Sequence, residues 1–219
     1  MTEPFLIGES MTGGYGRGAD ILHDCTIAVH PGEIAVIVGP NGAGKSTTMK
    51  IITGFLAPTS GSVTVDGHNI ATDALAAKAL MGYLPEGAPS YGDMTTLGFL
   101  RFVGEIRGYR GDELVQRVGR VLAEVELGSV ALQKIDTLSK GFKRRVGLAQ
   151  AIMHDPKVLI LDEPTAALGE SDSIRILDMV NRLAKRGKSI VYVSHRMDEI
   201  FKISKRIIVL RDGESQEPR

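Results

Sequence analysis

Residues 39–47 constrain this chain more than any other stretch, because they match the phosphate-loop pattern G-x-x-x-x-G-K-[ST] at every fixed position. The stretch consists of Gly39, Pro40, Asn41, Gly42, Ala43, Gly44, Lys45, Ser46 and Thr47. The glycines let backbone N–H groups turn inward around a phosphate, the lysine adds a positive charge, and the serine hydroxyl can ligate Mg²⁺. An apolar segment (33–38) precedes the loop, and a segment with helical character (46–53) follows it. This order predicts an anion held at the amino end of a helix, and it disfavours a Gly-rich turn that binds nothing.

Composition disfavours several classes of protein, although it does not exclude a local charged patch. Lysine plus arginine equals aspartate plus glutamate at 26 each, so no overall positive field attracts the chain to nucleic acid or to an anionic bilayer. The single cysteine, Cys25, cannot form an internal disulfide and is expected to be a buried apolar residue in a reducing compartment. We find no signal peptide and no apolar run near the roughly 20 residues that span a bilayer. We therefore expect a cytoplasmic protein, with any membrane part supplied by another chain.

Apolar strand-like segments alternate with helical ones, which predicts an α/β fold around a mainly parallel sheet. Residues 1–30 predict two strands around a Gly-rich loop, and residues 62–67 a hairpin, so an antiparallel β subdomain is expected near the amino terminus. Between about 95 and 135 the pattern becomes helical, as in an inserted α-helical subdomain. We expect a single domain over 1–219 whose core comprises about 1–94 and 136–219. Asp112 and Ser171 are expected to cap helices.

Polar side chains gather where apolar strands end. Asp162 and Glu163 follow the apolar run 158–161, and His195 follows the next one. Asp162 can hold Mg²⁺ opposite Ser46, while Glu163, pointing the other way, can face an attacking water. Either feature alone is weak, since an acidic pair can simply begin a helix and a strand-end histidine is usually structural.

A second predicted anion site lies at residues 138–142. Ser139 and Gly141 stand at the start of a predicted helix, where backbone N–H groups lack partners within the helix. An aromatic side chain, Tyr15, lies among glycines before the phosphate loop and can offer its face to a base, although a surface tyrosine without a ligand is an equal interpretation.

Taken in this order, the motifs resemble those of the ATP-binding cassette (ABC) ATPases, and the resemblance covers nearly all 219 residues. It implies a P-loop NTPase fold in which residues 39–47 are the Walker A motif and residues 138–142 the signature motif. It also implies that Tyr15 stacks on adenine, Glu86 occupies the Q-loop position near Mg²⁺, Glu163 is the catalytic glutamate and His195 is the switch histidine.

The same resemblance implies a mechanism. Two cassettes, as a homodimer or a heterodimer, would pair head to tail, so that each ATP lies between one chain's Walker A motif and the partner's Ser139 and Gly141. Glu163 would polarise the water while His195 and Lys45 stabilise charge on the γ-phosphate. Hydrolysis would reopen the dimer and move transmembrane permease subunits, which would place the chain at the inner membrane through its partner.

Four positions in three motifs depart from the commonest family pattern. Glu86 stands where glutamine is usual, Lys140 and Phe142 replace glycine and glutamine in the signature, and Gly169 replaces the D-loop aspartate. None of these changes removes a group that the chemistry requires, so hydrolysis is expected to survive.

The resemblance also changes along the chain. Residues 1 to about 50 resemble branched-chain amino-acid importer ATPases, residues about 50 to 165 resemble ABC-2-type exporter ATPases, and the segment from about 166 resembles sugar-importer ATPases. This change suggests an alternative to a natural transporter subunit. The chain would then be an engineered or recombined chimera that binds nucleotide with little turnover and has no native transport partner.

Two further functions compete with these. A DNA-repair or chromosome ATPase needs a long coiled coil, but only 94 positions separate Lys45 from Ser139. A small-molecule kinase would leave residues 138–142 and the acidic pair after 161 without a role.

Overall fold

The computed structural model describes residues 3–16, 18–87 and 91–216. In chain order its elements are β1 (Leu6–Gly13), β2 (Leu22–Val29), β3 (Ile34–Val38), α1 (Lys45–Ile52), β4 (Ser60–Val65), β5 (His68–Asn69), α2 (Ala74–Ala79), β6 (Met81–Leu84), α3 (Thr96–Ile106), α4 (Gly111–Glu124), α5 (Lys140–Ile152), β7 (Val158–Asp162), α6 (Glu170–Lys185), β8 (Ser189–Val193), α7 (Met197–Ile203), β9 (Arg206–Arg211) and β10 (Glu214–Gln216). Short 3₁₀ turns occur at Gly128–Val130 and Ile135–Thr137.

The larger sheet has the strand order β10-β9-β3-β8-β7-β6. Strands β9, β3, β8, β7 and β6 are mutually parallel, and β10 pairs with β9 in the antiparallel sense. All five residues of β8 are buried, which explains why the four that follow Ser189 are apolar. The predicted mainly parallel sheet is therefore confirmed, whereas β10 was not predicted.

Side-chain alternation along these strands divides the interior into two cores. In β8, Ile190 and Tyr192 join the core that lies against α3 to α7, whereas Val191 and Val193 join the core formed with α1 and the smaller sheet. Successive strand residues point to opposite faces, so one strand serves both cores. The sheet is thereby fixed between two packed layers. The edge at which its parallel strands end is held at a defined position.

The smaller sheet is antiparallel, with the order β2-β1-β4-β5. The predicted hairpin is present: β4 and β5 pair across Asp66 and Gly67, which both have positive φ angles. Cys25 of β2 is fully buried, and burial raises the pKa of its thiol to about 11. The expected packing role of this cysteine is confirmed.

Both predicted helix caps are wrong. Helix α4 begins at Gly111 after Arg110, so Asp112 lies in its first turn and is not the N-cap. Its negative charge there interacts favourably with the helix dipole. Helix α6 follows Gly169, which places Ser171 inside the helix. Among the residues described, no helix is both long enough and apolar enough to cross a bilayer.

Candidate functional site

The predicted strand, loop and helix are confirmed around residues 39–44, between the end of β3 and the start of α1. Gly42 and Gly44 have φ angles of 84° and 98°, which side-chain-bearing residues rarely adopt. A Cβ on Gly39 would overlap the backbone carbonyl oxygen of Leu210 in β9. The loop conformation therefore depends on glycine at its start and at its end.

The Lys45 side chain folds back over this loop. Its Nζ donates hydrogen bonds to the carbonyl oxygens of Gly39 and Pro40, at 2.6 and 2.9 Å. An ammonium group has three donors, so a third can turn to a phosphate oxygen. The positive charge is thus held at the loop, where the sequence predicts a phosphate.

A cleft of about 840 Å³ opens over the loop. The predicted residues that line it are Tyr15, Gly39, Pro40, Asn41, Gly42, Gly44, Lys45, Ser46, Thr47, Glu86, Glu163 and His195. The buried Ala43 belongs to the loop but not to the lining. Tyr15 is 46% exposed, and the Lys50 ammonium lies 4.8 Å from its ring centroid, which leaves ring surface for a flat ligand. The structure therefore brings together residues that are up to 180 positions apart.

Acidic side chains converge beside the loop. Burial raises the pKa of Asp162 above its usual value, and the nearby carboxylates of Glu163 and Glu86 raise it further, while Arg144 and Lys45 oppose the shift. A bound cation would relieve this crowding of negative charge. Within the described part of the chain, no three His, Cys, Asp or Glu side chains form a metal site by themselves. A metal here would need further oxygen ligands from a hydroxyl, a phosphate or water, which is the usual coordination of Mg²⁺.

Glu163 and His195 form a close pair at the edge of the cleft. The Glu163 Oε2 atom lies 2.8 Å from Nδ1 of His195, and the two side chains are 20% and 64% exposed. Glu163 has a φ of 47°, and its N–H donates to the carbonyl oxygen of Val193 at 3.0 Å. Non-glycine residues rarely adopt a positive φ angle, and those that do are concentrated at functional sites. The two side chains lie just beyond the ends of the paired parallel strands β7 and β8, and their arrangement suits proton transfer.

Ser139 and Gly141 do not line this cleft. Ser139 is the N-cap of α5, and its Oγ accepts a hydrogen bond from the Phe142 N–H at 3.3 Å. A Cβ on Gly141 would overlap the carboxylate of Asp172, so the start of α5 lies directly against α6. Ser139 is exposed, and it is accessible to another molecule.

Sequence reasoning missed two functional candidates. One is Arg144 in α5, whose buried guanidinium bonds to backbone segments on the acidic side of the cleft. The other is Glu199 in α7, a buried carboxylate that accepts hydrogen bonds from Thr165 at 2.5 Å and Tyr192 at 3.2 Å. Arg144 lies in a helix of mostly buried residues, whereas most of α7 around Glu199 is exposed, so no shared sequence signal marks the two positions.

The Glu199 cluster supports the segment that carries His195. Arg196, the next residue, places Nη1 2.7 Å from Glu199 Oε1 and 3.0 Å from the Ser173 hydroxyl. Burial raises the pKa of the Tyr192 phenol, so it stays protonated and donates to the carboxylate. The segment that carries His195 is therefore held against β8, α6 and α7 by the contacts of Arg196 and Glu199.

Replacing Gly39 with alanine is expected to lower the free energy of unfolding by about 1–3 kcal/mol, because the new Cβ would overlap a backbone atom that cannot move freely. Gly119→Ala is the matched control: Gly119 lies in α4 with open space around it, and alanine there should stabilise the protein by about 0.5–1 kcal/mol. Urea unfolding measures both changes. Equal stability of the two variants would contradict a tight fit between the loop and β9.

Known proteins resemble the chain in sequence. The protein family described as "ABC transporter" matches residues 22–166 of the chain. A linearmycin resistance ATP-binding protein of Bacillus subtilis (strain 168) is 35% identical over 209 residues, which cover 95% of this chain and 67% of that relative. A probable multidrug ABC transporter ATP-binding protein of Escherichia coli (strain K12) is 34% identical over 197 residues, covering 90% of this chain and 34% of that protein.

Solved structures agree with this result. An ATP-binding cassette of an ABC transporter in its ADP conformation gives a TM-score of 0.88 at 26% identity, covering 98% of this chain and 90% of that one. A dimeric cassette in a post-hydrolysis state, bound to ADP and Pi, gives 0.84 at 28% identity and covers 97% of both chains. The chain therefore belongs to the ABC transporter family, as an ATP-binding subunit whose ATPase activity is coupled to transport.

Proposed function

We propose that this chain binds Mg·ATP over residues 39–47 and hydrolyses it as one half of a head-to-tail dimer. The observation that carries the proposal is the 2.8 Å contact between Glu163 and His195 at the edge of the cleft that holds Lys45. A cation for the phosphates and a carboxylate for the water are thereby available in one cleft.

Each residue then has a distinct role in hydrolysis. The backbone N–H groups of residues 39–47 and the Lys45 ammonium bind the phosphates, and Tyr15 stacks on the adenine. Glu163 accepts a proton from the attacking water, and His195 orients Glu163 and stabilises charge on the γ-phosphate.

Mg²⁺ fits the acidic side of this cleft. Ser46 and Asp162 would hold the ion, and Glu86 would contribute a nearby negative charge. When bound, the ion neutralises charge on the β- and γ-phosphates. Its presence would also offset the mutual repulsion of Asp162, Glu86 and Glu163 that burial intensifies.

The second half of the site comes from another ABC ATPase chain, either a second copy or a different cassette. Ser139 and Gly141 do not line their own chain's cleft, and Ser139 is exposed at the start of α5. A helix amino end attracts anions, so it can close over the partner's triphosphate. The solved cassette described as dimeric and bound to ADP and Pi supports assembly in pairs.

The permease partner would dock in a groove of about 350 Å³ between the core and the helical subdomain that we assign to about 95–135. Phe55, Tyr83 and Arg107, which follows the last residue of α3, are among the residues that line the groove. Phe55 is 73% exposed and its ring contacts that of Tyr83, so an apolar helix end could cover both. This partner would hold the chain on the cytoplasmic face of the inner membrane.

A nucleotide-binding chimera with little turnover is the second candidate function. Glu86 favours it, because a carboxylate at that position raises the pKa of Asp162 and repels a γ-phosphate. One observation counts against the chimera: the two relatives described above each match residues from all three segments of the proposed mosaic, at 34–35% identity.

Phosphate release in Mg·ATP, measured against protein concentration, separates the two functions. A rate per chain that rises cooperatively supports hydrolysis in a dimer, because assembly completes each site. Rates near zero at every concentration, together with retained ATP binding, would support the chimera instead.

A further inference from the structure

Arg144 lies on α5 with only 7% of its surface exposed, although arginine is rarely buried without compensation. Burial lowers the pKa of its guanidinium, and the acidic side chains of Asp162, Glu86 and Glu163 oppose that shift. This residue therefore carries its charge into the acidic side of the cleft.

All five donors of the guanidinium can be assigned to backbone carbonyl oxygens. Nε donates to Pro164 at 2.8 Å. Nη1 donates to Pro85 at 2.6 Å and to Glu86 at 2.7 Å, and Nη2 donates to Asp162 at 2.6 Å and to Glu163 at 2.8 Å. A guanidinium offers five N–H groups in a rigid plane, so this single side chain is fully used.

These five carbonyls belong to two segments that leave the sheet side by side. Strands β6 and β7 pair in parallel as far as Leu84 and Leu161. Residues 85–86 and 162–164 continue beyond this last pair, where the strand ladder no longer joins the two segments. Arg144 joins them immediately after the ladder ends.

We propose that Arg144 is a positioning residue for hydrolysis: it holds the Glu86 segment and the Asp162–Glu163 segment at a fixed separation and anchors both to α5. The proposal rests on the function proposed above. Because Arg144 bonds to main-chain oxygens, it leaves the carboxylates themselves free for a metal and for water.

The adjacent Arg145 provides a matched control. It is equally buried and lies on the same helix, but it contacts Glu126, Asp172 and the ring of Phe142, away from the cleft. A general loss of packing in α5 would therefore affect both arginines alike, whereas a positioning role would affect only Arg144.

The test compares Arg144→Lys with Arg145→Lys in the full chain. Lysine keeps the charge but donates from a single point, so it cannot reach both segments. We expect Arg144→Lys to lower kcat about 30-fold, since small displacements of catalytic groups have such effects, with KM for ATP within about threefold of wild type. The Mg²⁺ concentration that gives half-maximal activity should rise, and Arg145→Lys should keep kcat within about threefold.

Two results would overturn the proposal: a folded Arg144→Lys variant with kcat within about twofold of wild type, or an equal loss of kcat in Arg145→Lys. If the lysine variant does not fold, Arg144→Gln, with two amide donors, takes its place and should show the same split between kcat and KM. Wild-type protein that releases no phosphate would refute the proposed function instead. In that case, binding of a fluorescent ATP analogue is measured with and without Mg²⁺, and tightening by Mg²⁺ that persists in Arg144→Lys refutes the positioning role.

Discussion

Replacing Glu163 with glutamine is expected to lower the steady-state rate of ATP hydrolysis by about 10²- to 10³-fold while leaving ATP affinity within about threefold of wild type. Glutamine has nearly the same shape and can still bond to Nδ1 of His195, which lies 2.8 Å from the present carboxylate. It cannot accept a proton from water, so the chemical step loses its base. Phosphate release and binding of a fluorescent ATP analogue measure the two quantities separately.

Glu170→Gln is the control for this change. Glu170 is an exposed acidic residue at the start of α6, seven positions along the chain, and it does not line the cleft. Its replacement should leave the rate unchanged. In the Glu163→Gln variant, an ATP-dependent dimer should also accumulate in size-exclusion chromatography, because hydrolysis no longer reopens it. A Glu163→Gln variant that retains half of the wild-type rate would remove Glu163 from the mechanism.

The phosphate loop could be predicted from sequence because its determinants are local. An apolar strand, two glycines with positive φ and a lysine at the start of a helix all lie within about 15 positions, and the structure confirms their arrangement. The meeting of Glu163 and His195 was predictable for a different reason. Parallel strands present their carboxyl ends at one edge, so two strand-end residues become neighbours.

Arg144 could not be predicted in this way, because its partners are backbone carbonyls at sequence separations of 18 to 59 positions. A carbonyl acceptor is present in every residue and leaves no signature in the sequence. The caps of α4 and α6 were wrong for a related reason. Sequence patterns place a helix end only to within one or two residues, and these helices begin after Arg110 and Gly169, neither of which makes a side-chain capping hydrogen bond.

Mixing two inactive variants is expected to restore ATP hydrolysis if the dimer is head to tail. Lys45→Ala removes the ammonium from a chain's own phosphate loop, and Ser139→Asp places a negative charge where the partner's triphosphate would bind. Each variant alone should lose about 100-fold or more of its activity, since both sites of its dimer carry the defect. In a mixed dimer, one site combines an intact Lys45 with an intact Ser139. With random pairing, about half of the dimers are mixed and each has one intact site of two, so about a quarter of wild-type activity should return.

Aspartate is chosen at position 139 because it caps a helix as well as serine does, so thermal stability should change little. Thr95→Asp is the matched control: Thr95 caps α3 by accepting the Gly98 N–H at 3.1 Å, and this variant should hydrolyse ATP at the wild-type rate. Phosphate release is measured for each variant alone and for equimolar mixtures over a range of concentrations. A mixture whose rate equals the mean of the two separate rates would refute the head-to-tail site, since sites built within single chains gain nothing from pairing.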